Sequence, residues 1–420
     1  MGAAVMTSIR TRVGTFAATM LLAATAAGGL APAAHADTTP YEMTRMVPAG
    51  AGYQSALRAE INYWTTGRIA VAALNDDTGN AIGRGSDAVP PADGWNDLAA
   101  PWKGPGLITR TAGKLLLRVD NAATGQFDHL AACTATVAQS ANRSVAVTAG
   151  HCFREQLASN LGGPNHIAVN AVFIPGFDGT RLTRIPADLT DTQAINDYVQ
   201  NTPLPGTDIA PYGVWGVTRV WLTNTWAWNK NNFTGNDMAA FLVDNPDATA
   251  PIQDITGGQA IAFDHPRGQF VTAFGYPTFN RVSSSGSAQW YAPQYDGNNL
   301  PLVGKPGANG VPAGQVRTYD GRALFASRGA TTPDTGGNVD DIMPMAQAQG
   351  SSGGPWFDTF DPATGTGTLI GVMSHFVSSS SGGFGLDQLW NPARPYMAGT
   401  HFADQERAVY QTAAATTPRA

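Results

Sequence analysis

Two short stretches carry most of the chemistry this sequence could do. QGSSGGPWF, residues 349–357, sets two serines among glycines and then runs into Pro355, Trp356 and Phe357. A flexible Gly/Ser linker repeats and lacks an apolar anchor, so this single anchored copy reads as a loop that exposes one hydroxyl. In NRSVAVTAGHCF, residues 142–153, an apolar strand ends in Thr148-Ala149-Gly150 and places His151 at its tip beside Cys152. A hydroxyl and an imidazole are a nucleophile and a base for acyl transfer, a reaction that also needs a group to orient the base.

Short apolar runs between turn residues must position these groups. From about Leu107 they recur at Lys114 to Val119, Ala132 to Val137, Ser144 to Thr148, Ala168 to Phe173, Val217 to Leu222 and Met238 to Val243. A second set covers Ala260 to Phe263, Phe270 to Phe274, Gln289 to Ala292, Gln315 to Tyr319, Ala323 to Ser327 and Leu369 to Ser374. Roughly six strands on each side of Asn245 to Pro251 predict an all-β chain of two antiparallel six-stranded barrels, about 108–248 and 249–400. A helical pattern returns over about 403–413, followed by a tail, 414–420. Residues 37–107 read as an N-terminal extension or prosegment, with a helix-compatible patch at Gln54 to Tyr63 and an apolar run at Ile69 to Leu74.

Composition narrows the function classes. Charged residues make up 13% of the 420 and the net charge is −6, with no basic run, so no nucleic-acid partner is expected. Arg10 and Arg12, the apolar run Val13 to Leu30 and Ala34-His35-Ala36 form an export signal over residues 1–36, which predicts a secreted protein free of the membrane once it is removed. In an exported chain the two cysteines, Cys133 and Cys152, read as one disulfide. Such a bond would staple the His151 loop to the preceding strand, with a loop of about 20 residues worth on the order of 3 kcal/mol. No cofactor and no metal is expected: zinc lacks enough ligands around the cysteines, and no calcium loop stands out. His129, His166, His265 and His401 have no supporting context and read as structural or exposed.

TAGHC together with GSSGGP resembles the chymotrypsin-like (trypsin-fold) serine peptidases, and among them the bacterial exported branch that includes glutamyl endopeptidases. GKLLLRV (113–119), FGYP (274–277), GVMSH (371–375) and PYMAGTHFADQERAVYQTA near the end extend the resemblance over roughly Leu107 to Ala413. It implies a secreted, monomeric serine endopeptidase acting on proteins or peptides through an acyl-enzyme. Ser352 is implied as nucleophile, His151 as base, and the backbone N–H groups of Gly350 and Ser352 as the oxyanion hole. The orienting acid is expected at Asp237 in GNDMAAFLV, ahead of an apolar strand; Asp208 in GTDIAPYG is the competitor.

The chain departs from that pattern in three places. Ser351 stands where trypsin-type enzymes carry the aspartate that pairs with a freed amino terminus, so zymogen activation by that ion pair is not available to it. No cysteine flanks the Ser352 loop, which leaves Trp356 and Phe357 to hold it by packing. Ala346 occupies the bottom of the specificity pocket, without a carboxylate for Arg or Lys. Ser374 and His375 are expected along the substrate, where His375 could favour an acidic side chain, although glutamyl endopeptidases carry that histidine two places earlier, at Met373 here. The long insert between His151 and Asp237 carries Trp215, Trp221, Trp226 and Trp228, either packed on the barrel or exposed for substrate contact. If a prosegment is removed, a cut near Arg110 would free GKLLLRV. A catalytically idle binding module is the alternative from another class. GSSGG also fits the G-x-S-x-G of α/β-hydrolases, but an esterase of that fold needs the order Ser, Asp, His and a helix after the serine.

Overall fold

The computed structural model describes residues 38–74, 99–156, 165–182, 208–228, 235–278, 281–284, 287–290, 321–334, 339–345, 347, 349–377 and 396–418, with positions 197, 200 and 201. The expected export signal, the Gln315 to Tyr319 strand and Ala346 lie outside the described residues.

In chain order come β1 (Tyr41–Glu42), α1 (Tyr53–Asn62), α2 (Thr66–Leu74), β2 (Ala100–Pro101) and α3 (Ile108–Thr111). The first main sheet uses β3 (Ala112–Asn121), β4 (Phe127–Val137), β5 (Val145–Thr148), β6 (Arg154–Gln156), β7 (Asn165–Pro175), β8 (Trp215–Leu222) and β9 (Ala239–Asp244), with α4 (Asn224–Trp228) between the last two. Its order is β1-β8-β9-β5-β4-β3-β7-β6, and a further pairing of β8 with β7 closes six of these strands into a barrel.

The second half begins with α5 (Ile252–Thr256), β10 (Ala260–Ile261) and β11 (Phe270–Gly275), then a hairpin of β12 (Arg281–Ser284) and β13 (Ser287–Trp290). It continues with β14 (Phe325–Ala330), β15 (Thr332–Pro333), β16 (Asp341–Pro344), β17 (Pro355–Asp361), β18 (Thr366–Val377), β19 (Tyr396–His401) and the terminal helix α6 (Asp404–Ala415). These strands run β15-β16-β19-β18-β17-β11-β14-β2, with β10 paired to β18. Among the described residues this is an open sheet, so of the two expected six-stranded barrels the described residues form the first, and the second half contributes a second sheet.

Alternation explains why the barrel strands read as continuous apolar runs. Successive side chains point to opposite faces. Leu115, Leu117 and Val119 enter the barrel interior with Phe173, Phe241 and Val243, while Leu116, Val145, Val147 and Leu242 face an outer core shared with α1, α2 and α6. With both faces covered, these strands are mostly apolar, and buried polar side chains such as Lys114 and Thr134 are hydrogen-bonded.

The extension supplies part of that outer core. Tyr53, Leu57 and Ile61 recur every four residues and form the buried stripe of α1. Trp64 is fully buried and donates its indole N–H to Asn170 at 2.6 Å. β1 pairs with β8 and β2 with β14, so residues on both sides of the undescribed 75–98 are built into the two sheets. Lys114 is fully buried, and its ammonium donates to Ala73 O, in the last turn of α2, and to Tyr276 O just after β11, each at 3.2 Å. A cation suits the carbonyl end of a helix. No helix among the described residues is long and apolar enough to cross a membrane.

Candidate active site

β5 ends at Thr148, and a single tight helical turn, Gly150–Cys152, follows it and presents His151. The turn is fastened from below by a Cys133–Cys152 disulfide, as expected from the cysteine count. Trp226 packs against it: a side chain on Gly150 would meet the indole at 2.7 Å, and the indole N–H donates to Arg154 O at 2.9 Å. Trp215 and Trp221 are likewise buried, and of the four insert tryptophans only Trp228 stands exposed, edge-on to Tyr41.

Asp237 lies just before β9 and has no exposed surface. Its Oδ2 meets His151 Nδ1 at 2.7 Å and its Oδ1 accepts the His151 backbone N–H at 2.8 Å. Ser374 Oγ, on β18, donates to Oδ2 at 2.6 Å. Burial by itself raises the Asp237 pKa, but the His151 charge and the hydrogen bonds from His151 and Ser374 outweigh it and hold the carboxyl below its ordinary value. An ionised carboxylate only accepts, so Nδ1 carries a proton and Nε2 is the basic nitrogen of the neutral ring. Asp208, the competing acid, is exposed on a turn.

The terminal helix props up this acid. Asn236, at φ 59, donates to Glu406 Oε1 at 2.8 Å, and Glu406 Oε2 accepts Ala403 N–H at 3.0 Å. Gln405 exchanges two hydrogen bonds with Thr225 beside Trp226. Neither Asn236 nor Glu406 stood out in the sequence, because each acts only through a residue far away in the chain.

Ser352 occupies the loop between β16 and β17. Trp356 and Phe357 are buried and anchor the loop's exit, as expected. Its backbone is clamped to the barrel through Thr134, the neighbour of Cys133. Thr134 N–H donates to Ser352 O and Thr134 Oγ1 to Gly350 O, each at 2.8 Å, while Thr134 Oγ1 accepts Tyr276 N–H at 2.9 Å. Thr148 Oγ1 in turn donates to Thr134 O at 2.8 Å. On the other side, Gly353 N–H donates to Met373 O at 2.7 Å and Met373 N–H to Gly354 O at 2.8 Å. Thr134 was missed in the sequence; its only signal was its place next to a disulfide cysteine.

Two glycines in this loop are dictated by space and angle. Gly353 has φ 77, and a Cβ there would lie 1.8 Å from Thr148 Oγ1 and 2.5 Å from Thr134 O. Gly350 has φ 82. The Gln349 carbonyl accepts from Thr278 N and Oγ1 at 2.8 and 3.1 Å. A planar trans peptide then aims the Gly350 N–H the opposite way. Among the described residues neither the Gly350 nor the Ser352 N–H has an acceptor.

The residues expected along the substrate turn their side chains inward. Ser374 is committed to Asp237, and His375 is buried with Nδ1 3.0 Å from Ser374 Oγ and 3.9 Å from Asp340 Oδ2. Burial pushes the His375 pKa down to about 4. Asp340 is fully buried, and burial together with Asp237, Glu406, Asp334 and Asp341 raises its pKa well above normal. Ser351 is also fully buried, and Met373 lies in the core of the second sheet.

No protein-family model matches the chain, and no curated protein does. Among solved structures it is similar to the thermostable serine protease AL20 from an extremophilic microorganism, at 20% identity over 74% of this chain and 100% of that one, with TM-score 0.46. The protease Anisep from Arthrobacter nicotinovorans gives 20% identity, 75% and 99% coverage and TM-score 0.47. A Glu endopeptidase gives 12%, 78% and 100%, and 0.42. At these identities the neighbours' names do not transfer their chemistry, which has to come from the site's own atoms.

Proposed function

We propose that the chain is a secreted serine endopeptidase. The observation that carries this reading is the buried Asp237 bound to both the ring and the backbone of His151, on a loop whose disulfide partner adjoins the threonine that clamps Ser352. Ser352 Oγ attacks a peptide carbonyl and its proton passes to His151 Nε2. The oxyanion that forms is held by the N–H groups of Gly350 and Ser352. Collapse expels the amine, which takes the proton from His151, and water then repeats the sequence on the acyl-enzyme. Asp237 stays ionised and keeps the imidazole oriented.

Residues 38–74 remain with the mature enzyme, since removing them would strip Trp64 and the α1 stripe from the shared core and leave Lys114 without one of its carbonyls. His375, neutral at pH 7 and turned inward, does not supply a cation for an acidic substrate side chain, and buried Met373 has none to offer.

Labelling of the secreted protein with a fluorophosphonate, with intact mass to place the adduct, tests the reading. A single adduct on Ser352, abolished in both Ser352→Ala and His151→Ala, is the expected result. A folded, processed chain that takes no label refutes it and favours an idle binding module.

A further inference from the structure

At the end of the barrel away from the nucleophile clamp, three side chains unused by the proposed chemistry converge. Asp128 Oδ2 lies 3.0 Å from His129 Nδ1 and 2.7 Å from His166 Nε2. The two imidazole rings face each other edge-on, with centroids 5.0 Å apart. All three potential ligand atoms fall within 4.8 Å of one another.

Topology explains the convergence of residues so far apart in sequence. β4 and β7 flank β3; His129 sits opposite Val119 and His166 opposite Asn121. Positions two apart on a strand share a face. Both pairings are also broken by a bulge here, between Val119 and Asp120 toward β4 and between Arg118 and Val119 toward β7. Bulges add local twist and re-aim side chains. Glu155 on β6 stands directly opposite His166 and adds a further carboxylate to the neighbourhood.

We propose that Asp128, His129 and His166 form a binding site for a divalent transition metal of the zinc type. Two imidazoles and one carboxylate suit Zn²⁺ or Co²⁺, whereas Ca²⁺ takes six to eight oxygens. Ligands at about 2.1 Å from a shared ion sit roughly 3.0–3.4 Å apart at tetrahedral or octahedral angles, close to the observed nitrogen–oxygen separations. The side chains of His129 and His166 are 15% and 23% exposed and that of Asp128 41%, so one side of the cluster opens to solvent for water to complete the coordination. Thr134 is five positions along β4 from His129, about 17 Å of extended strand, so the ion would not touch the candidate nucleophile. Its effect is to tie β4 to β7 across β3 and to stabilise the barrel by mass action.

The test uses the full secreted chain, stripped with EDTA and dialysed against Zn²⁺ or, in parallel, Ca²⁺. The expected result is one Zn²⁺ per chain with Kd on the order of 1–10 µM and a Tm raised by about 3 °C or more, with no response to Ca²⁺. His129→Ala, His166→Ala and Asp128→Asn each weaken binding at least about tenfold, while His265→Ala, which removes a histidine paired with Asp358, leaves it unchanged. Tm in EDTA shows that each variant folds. No Zn²⁺ uptake at about 1 mM, or undiminished uptake by a His129→Ala/His166→Ala double variant, overturns the proposal. Zn²⁺ held instead at His151 would persist in those variants and block fluorophosphonate labelling, which also overturns it. Because binding is read directly, the outcome does not depend on whether Ser352 is active.

Discussion

His151 and Asp237 stand on a closed barrel, whereas Ser352 and Ser374 stand on a sheet that, among the described residues, runs open. The barrel side is fixed by a disulfide and by a carboxylate that grips both the ring and the backbone of the same histidine. The Ser352 side has no covalent staple. It is held by two hydrogen bonds from Thr134, by reciprocal bonds with Met373 and by glycines that let the backbones touch. The proposed base and acid are therefore set within one unit, and the proposed nucleophile is set by how well the second sheet docks on it.

The largest test of this contrast removes charge from the barrel side without disturbing its shape. Asp237→Asn keeps the volume but no longer favours a proton on His151 Nδ1, and kcat is expected to fall by about 10⁴-fold. A loss below tenfold in a peptide assay would move the orienting role elsewhere. Next comes the docking surface. Gly353→Ala places a methyl group on Thr148 Oγ1 and on the Thr134 carbonyl at a φ that costs about 1–3 kcal/mol by itself. Labelling of Ser352 should collapse while the disulfide stays intact by mass. Retained labelling would show that the loop docks by some other contact.

The smallest effect concerns the extension. Glu60 accepts Ala171 N–H at 3.1 Å, and burial raises its pKa from 4.5 to about 7. Between those values the folded state holds a proton that the unfolded chain has released, so stability falls as pH rises from about 4.5 to 7. Glu60→Gln should flatten that part of the Tm against pH profile. An unchanged slope would mean that other groups set it.

The barrel was largely legible in the sequence, because runs such as KLLLRV and AAFLV, buried on both faces, recur between turn residues at strand length. The second sheet was less so. PWFDTFD, which forms β17, looks like the tail of a glycine loop, and β16 and β19 hide in DIMP and YMAGTH, where Pro or Gly interrupts a short run. TGRIAVAAL forms α2, which a short apolar run could not distinguish from a strand.

Ser352, His151 and Asp237 were read from the sequence through motifs that resemble a known family, and their local settings agree with that resemblance: glycines around the serine, a strand tip and a cysteine at the histidine, a strand start at the aspartate. Only the tertiary structure decided what holds them. The Thr134 clamp on Gly350 spans 216 residues, the Ser374 bond to Asp237 spans 137, and the Asn236 bond to Glu406 spans 170. A hydrogen bond leaves no mark on residue type at such separations. A threonine or serine there looks like any other until folding brings its partner within 3 Å.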